Sequence, residues 1–377
     1  MGLGEVVKLD RGFPLVRLDT TGELVRCKHA TALVKGEHVR AVIGDKVRID
    51  FPESHDKPII SAIEPRVREL VRKDPTERTL PQVLAANFDR VIVAQPISEI
   101  NLRRLERELV LAHETGAAVS VVLTKADLAK NDEELSSVHA RVRVLAGEAV
   151  EILVVSESDP ASIEEVRALI PQGSVAVLMG KSGVGKSSLV NLLVGESLQQ
   201  TGAVRAHDGK GRHTTVSREM IDIPGGGRVV DMPGVRGLGL WDADAGIGAA
   251  FADIENAAQN CRFRDCKHEN EPGCAVRAAV ESGEIARERW ESYCALKQET
   301  RNVSERREQA RWAQSDRSRA GKHASNYAGG HAEKHSDVHK STRVGKHSNA
   351  HTNAHASKRS NERTTKRTNA GAAKRGK

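Results

Sequence analysis

The chain has 377 residues, 38% hydrophobic and 3% aromatic, and its formal net charge of +7 is uneven: residues 301–377 hold 19 Lys and Arg against 6 Asp and Glu, leaving the rest net −6. This length accommodates two or three domains with a sizeable core, and so few aromatics argue against extended stacking on bases. No run of eighteen apolar residues offers a membrane span, and the N-terminus Met1-Gly-Leu-Gly-Glu lacks the basic and apolar regions of a signal peptide.

In chain order, residues 1–66 read as short strands at 6–9, 15–18, 24–27, 39–42 and 46–51, separated by Gly12, Gly22, Gly36 and Gly44. Five short strands fit a small barrel, with an oligonucleotide-binding (OB) fold as one candidate. Residues 67–245 alternate apolar runs (90–94, 118–123, 151–155, 174–179, 228–231) with amphipathic stretches at 102–114 and 162–170. That alternation predicts a mostly parallel α/β sheet. Residues 246–300 hold a Cys/His cluster and a helical stretch at 284–299. Residues 301–377 are Ser, Asn, His, Lys, Arg, Gly and Ala with almost no aliphatics, so they are expected to stay disordered. Seven of the fifteen histidines fall there, and a weakly basic, solvated tail is preferred over a metal-binding tract. A net +13 segment of this kind is suited to nucleic acid.

Gly180-Lys181-Ser182-Gly183-Val184-Gly185-Lys186-Ser187-Ser188 matches G-x-x-x-x-G-K-[ST], with an apolar strand before it and helical spacing after it. The glycines let backbone N–H groups curl around a β-phosphate, and the helix N-terminus adds positive potential. Lys186 is expected to reach the β- and γ-phosphates, and Ser187 to ligate Mg²⁺. Downstream, Arg228-Val-Val-Asp231-Met-Pro-Gly234 is a strand ending in D-x-P-G. Asp231 is placed to hold Mg²⁺ through water, and the Gly234 N–H to meet the γ-phosphate.

Thr124-Lys125-Ala126-Asp127 ends another strand as T-K-x-D, similar to the N-K-x-D motif that reads guanine. The Asp127 carboxylate can accept from N1–H and N2–H₂ of guanine. Adenine has no such donor pair and would leave the carboxylate unpaired, at roughly 1–3 kcal/mol or more. Lys125 can cover the base, Thr124 stands where Asn is common, and Ser156 fits a backbone contact to the base oxygen. The base motif precedes the P-loop and D-x-P-G comes last, the order that a circular permutation of the GTPase sheet produces.

Cys261, Cys266, His268 and Cys274 read C-x₄-C-x-H-x₅-C, a closed tetrahedral set suited to one structural Zn²⁺. Cys27 and Cys294 are expected to be plain buried thiols. The clustering argues for a metal site over a disulfide framework and for a reducing cytoplasm.

The permuted order, the N-terminal β module and this Cys/His spacing together resemble the circularly permuted bacterial GTPase family RsgA. The resemblance runs over about 1–300 and includes Ala85-Ala-Asn87-Phe-Asp89-Arg-Val, Gly211-Arg-His213-Thr-Thr215, Asp231-Met-Pro-Gly-Val-Arg236 and Glu271-Pro-Gly-Cys-Ala-Val276. It implies an OB-fold at 1–66, a permuted α/β GTPase domain at 67–245 and an α-helical zinc-binding domain at 246–300. It also implies a GTPase of late 30S maturation, stimulated by that subunit and contacting 16S rRNA, with GTP/GDP, Mg²⁺ and Zn²⁺ bound. The protein is expected to be a cytoplasmic monomer with no membrane partner. Small GTPases orient water with a Gln just after D-x-P-G. Here that position is Val235, so His213, in the glycine-rich segment between P-loop and Asp231, becomes the catalytic candidate. Thr214 or Thr215 is the candidate switch ligand for Mg²⁺. A nucleotide-gated RNA-binding scaffold, in which hydrolysis only times release, is the alternative. An ATPase or small-molecule kinase is disfavoured by the T-K-x-D motif.

Overall fold

The computed structural model describes residues 1–10, 13–36, 39–53, 55–74, 80–195, 218–232 and 238–329. Met1–Asp316 form one compact unit; Arg317–Lys377 form another, of which 317–329 are described and helical.

The N-terminal strands are β1 (Gly2–Asp10), β2 (Phe13–Leu18), β3 (Leu24–Arg26), β4 (Lys28–His29), β5 (Lys46–Asp50) and β6 (Ile59–Ile63). β1 pairs antiparallel with β2 and β5, β5 with β6, and β4 runs parallel to β6. Val6, Val16, Cys27, Val47, Ile49 and Ile60 meet in a core of their own, the inward half of a period-two pattern. The strand expected at 39–42 is irregular chain instead. Side chains satisfy its backbone: His29 Nε2 accepts from Ala41 N–H (3.0 Å), and the buried Asp45 carboxylate accepts from Val42 N–H (2.7 Å). Apolar content there marked burial rather than pairing. The place in the sheet goes to β6, which the expected strands omitted.

After the hairpin β7 (Glu69–Lys73) and β8 (Pro81–Ala86), strand and helix alternate: β9 (Arg90–Pro96), α1 (Leu102–Glu114), β10 (Ala118–Thr124), α2 (Asp132–Ala146), β11 (Glu151–Val154), α3 (Pro160–Ala168), β12 (Val175–Met179), α4 (Lys186–Val194), then β13 (Arg218–Asp222) and β14 (Arg228–Asp231). Helices α1 to α3 begin at side-chain caps. Asn101, Asn131 and Asp159 accept from the N–H groups of Arg104, Glu134 and Ala161.

The sheet order is β11-β10-β9-β12-β14-β13-β1-β5-β6-β4. Strands β11, β10, β9, β12 and β14 are parallel neighbours; β13 runs antiparallel to β14 and to β1. The chain moves outward from β9 to β11 and then returns to β12 on the other side of β9. In open α/β sheets, ligands bind outside the carboxyl ends of the strands at such a reversal. The reversal lies between β9 and β12, and both the P-loop and the T-K-x-D motif end strands on that side.

The C-terminal helices are α5 (Asp244–Ala250), α6 (Ala252–Ala258), α7 (Ala275–Ser282) and α8 (Arg287–Gly329). α5 lies close on α1: Glu114 accepts the Gly246 N–H (2.6 Å), and a Cβ at Gly246 would stand 2.2 Å from Val110 O. Only glycine permits that approach. The disorder expected from 301 is corrected for 301–329, which continue α8. Thr300 and Val303 are buried, and Arg307 pairs with Asp242 at 2.8 Å with its guanidinium over the Trp241 ring. Counting aliphatics missed this, because a threonine, one valine and an arginine stem suffice to seat a helix. Residues 330–377 lie outside the described residues. Among those described, no helix is long and apolar enough to cross a membrane.

Candidate active site

The phosphate loop leaves β12 at Gly180. Gly180, Gly183 and Gly185 have φ of +152°, +86° and +99°, a region that strains other residues. A Cβ at Gly180 would lie 2.6 Å from Ala94 O on β9, so the loop is pressed onto the neighbouring strand. Gly185 caps α4, which Lys186 and Ser187 open, with Ser187 and Ser188 exposed. Lys186 is 7% exposed, and its Nζ donates to Gly180 O and Lys181 O, each at 2.9 Å. Burial lowers the Lys186 pKa, while the carboxylates of Asp231 and Glu108 oppose that shift. Asp231 closes β14 in register with Leu178 of β12, one strand from the loop. An ammonium and a carboxylate thus flank the crevice where a Mg²⁺-bound polyphosphate would need them.

The base motif reaches the same loop. Thr124 Oγ1 sits against Val184 O and lies 3.2 Å from Gln95 O. A hydroxyl has one proton, so it serves these two carbonyls in turn. Lys125, at φ +60°, donates through Nζ to Gly183 O (2.8 Å). Asp127 is exposed on the short 3₁₀ turn Ala126–Leu128, which is fixed by Ala126 N–H to Val155 O (3.1 Å). Ser156 stands in the adjacent loop after β11. Its N–H is engaged by Ser162 Oγ (3.3 Å), and its hydroxyl pairs with Ser158 Oγ (2.8 Å). The backbone donor expected from Ser156 is therefore engaged by α3.

The sequence patterns missed a polar set behind this junction. Glu108 of α1 is fully buried, accepts from Arg104 Nε (2.9 Å) and is hydrogen-bonded by Gln95 Nε2. Burial pushes its pKa up to about 7, although Arg104, Gln95 and Lys186 all pull it down. Gln95 thus ties α1 to the strand end that Thr124 touches. The available signal was a pair of acidic residues, Glu106 and Glu108, interleaved with buried Leu105 and Leu109.

Cys261, Cys266, His268 and Cys274 converge as expected, with ligand atoms all within 4.8 Å of one another. His268 Nδ1 is 3.5 Å from Cys261 Sγ and 3.4 Å from Cys274 Sγ, and the Cys261 and Cys274 sulfurs are 3.9 Å apart. The loop is knitted by Glu271, whose carboxylate accepts the N–H groups of Lys267, Glu269 and Asn270 at 2.9–3.0 Å. This set could hold a metal ion. Of the two cysteines outside it, Cys27 is buried as expected, whereas Cys294 is exposed. His213, Thr214, Thr215 and Gly234 lie outside the described residues.

Residues 63–241 match the family model for the RsgA GTPase. Over 303 residues the chain is 40% identical to the small ribosomal subunit biogenesis GTPase RsgA of Streptomyces coelicolor, covering 80% of this chain and 81% of that relative. The chain belongs to the RsgA GTPase family. As an RsgA family member it is a GTP hydrolase. Among solved structures it is similar to YjeQ from Thermotoga maritima, with a TM-score of 0.58 and 26% identity, over 79% of this chain and 98% of that one. YloQ, described as a circularly permuted GTPase, superposes with a TM-score of 0.56 over 80% of this chain and 96% of its own, at 23% identity. The latter likeness bears on the fold alone. This RsgA family member carries the permuted strand order that the motif order implied.

Proposed function

We propose that this protein hydrolyses GTP in late maturation of the 30S ribosomal subunit, with hydrolysis stimulated by the subunit and with 16S rRNA among its contacts. The observation that carries the reading is the contact of Thr124 and Lys125 with the carbonyls of Val184 and Gly183. It sets the T-K-x-D motif directly against the phosphate loop, which supports a single nucleotide spanning both. Asp127 reads guanine, Lys125 covers it, and the loop 180–185 with Lys186 holds the phosphates. Ser187, Asp231 and Thr214 or Thr215 are the residues that would hold Mg²⁺, which when bound spreads the charge of the β- and γ-phosphates. His213 orients the attacking water, and the Gly234 N–H meets the γ-phosphate. The N-terminal strands serve as an OB-fold RNA contact, and the protein acts as a cytoplasmic monomer. Release of Pi by full-length protein, measured with GTP or ATP and with or without purified 30S subunits, tests the reading. GTP turnover that rises with subunits is expected; equal turnover of ATP, or indifference to subunits, would reject it.

The Cys/His set fits zinc by donor chemistry and spacing. Four ligands at about 2.0–2.3 Å from one ion stand roughly 3.5–4 Å apart, as the sulfurs and imidazole do. Freshly purified protein should contain about one zinc per chain, the capacity of one four-ligand site. Cys266→Ala should lose that zinc and loosen residues 246–300 toward proteolysis, with nucleotide affinity retained. Elemental analysis finding no zinc in the unaltered protein would refute the assignment.

The tail extends the RNA reading. From Arg319 to Arg375 every fourth residue is Arg or His apart from Tyr327 and Gly371. Regularly spaced Arg and His, with the tail's lysines, on a chain with little to bury suit phosphate contacts without base readout. Deleting 330–377 spares the buried contacts of 300–307. It should leave intrinsic GTPase activity and melting unchanged, weaken 30S binding at low salt and flatten the salt dependence. Each single-strand phosphate that the tail no longer neutralises takes about 0.7 off the slope of log K against log salt. Superimposable binding curves across a salt series would make the tail a mere solubilising extension.

A further inference from the structure

Residues 238–242 carry the chain from D-x-P-G into α5, and among them the backbone groups at 238–240 are satisfied from three directions. Lys73 of β7 donates its N–H to Gly239 O (2.9 Å). Arg107 of α1 donates through Nη1 to Leu238 O (2.9 Å), and Glu299 of α8 accepts the Leu240 N–H at Oε1 (3.0 Å). Arg107 and Glu299 also pair with each other at 2.7 Å. The Leu238 and Leu240 side chains are buried in the main core. Eight residues along α8 from Glu299, Arg307 binds the Asp242 carboxylate (2.8 Å) and covers Trp241. One helix therefore grips this stretch twice, at 240 and at 241–242.

The geometry points to Arg107 and Glu299 as a positioning pair for GTP hydrolysis: together they fix residues 238–240, downstream of D-x-P-G in the chain, and tie that stretch to α8. The pairing deepens the GTPase reading above and rests on it. Residues 238–240 belong to no strand or helix, so two ionised side chains replace the usual ladder. Such bonds are stronger than neutral ones, and losing one partner leaves a buried backbone group and a half-buried charge unmatched. The carboxylate serves the backbone and the guanidinium at once, so α8 cannot shift without loading both. A shift of α8 would thereby load residues 238–240, with neither Arg107 nor Glu299 touching the nucleotide.

The experiment uses full-length protein carrying Glu299→Gln, Arg107→Met, the double change, or Arg107→Lys. Glu299→Gln keeps an oxygen for the Leu240 N–H and removes the charge that faces Arg107. Expected are a kcat for subunit-stimulated hydrolysis lowered about tenfold by either single change, and KM for GTP and GDP affinity within about twofold of wild type. The double variant should be no slower than the slower single one, and Arg107→Lys should recover part of the rate. Hydrogen exchange gives the readout that a merely structural role would not move. In the unaltered protein, amides 238–242 and 297–303 should change protection together when a non-hydrolysable GTP analogue replaces GDP; in Glu299→Gln they should change independently. Full kcat in folded Glu299→Gln and Arg107→Met overturns the inference. So does a joint fall in kcat, nucleotide affinity and melting temperature, which marks general loosening. If the unaltered protein hydrolyses no GTP, the function reading fails, and the exchange data alone decide whether α8 and 238–242 are coupled.

Discussion

Lys186→Ala should weaken GTP binding by roughly 10²-fold or more, since truncating one side of a buried charge pair costs about 2–5 kcal/mol. The Gly180 and Lys181 carbonyls of the loop accept from this ammonium, which is 7% exposed. Those contacts keep a desolvated cation poised where β- and γ-phosphates arrive. Exchanging carbonyl dipoles for full negative charges is a large gain, and alanine forfeits it. The same truncation should cost the nucleotide-free fold little, because it also removes a buried charge whose pKa is already lowered by desolvation. Fluorescent GDP titration and thermal melting separate the two effects. A Kd within threefold of wild type would show that the phosphates sit elsewhere.

His213→Ala should leave nucleotide affinity near wild type and lower subunit-stimulated single-turnover hydrolysis by about 10²-fold or more, the scale of a lost acid–base group. Val235 occupies the place where small GTPases carry a water-orienting Gln, and an aliphatic side chain cannot hydrogen-bond water. A neutral imidazole both orients water and accepts its proton. A pH–rate profile adds a check: the wild-type rate should fall as pH drops through the imidazole range, near 6.5 for an unperturbed His, and the variant should lose that limb. Full single-turnover activity in the variant would assign the water to another group.

The sequence by itself determined the chemistry-bearing parts, because each is a short contiguous word with a local physical cause. Glycines at 180, 183 and 185 were legible because only glycine takes those positive φ values cheaply. The Cys/His set was legible because close spacing in one loop brings all four ligand atoms within reach of a single point. The alternation of apolar runs and amphipathic helices located β9 through β12, and the order of motifs revealed the permutation.

What only the tertiary structure decided depends on partners remote in sequence. Residues 39–42 look like a strand, yet His29 and Asp45 satisfy their backbone and β6 takes the place in the sheet. Composition ends order at 300, yet α8 runs on to Gly329, with Arg307 held by Trp241 and Asp242. Thr124 in place of Asn looks like a loss until the fold brings Val184, sixty residues away, against its hydroxyl. Glu108 and Glu299 belong to no motif, yet one is buried against Gln95 behind the phosphate loop and the other accepts the Leu240 N–H beyond D-x-P-G. Local words specify which groups a chain can offer. Which buried donor meets which acceptor is settled only when packing removes water and every backbone group must find a partner.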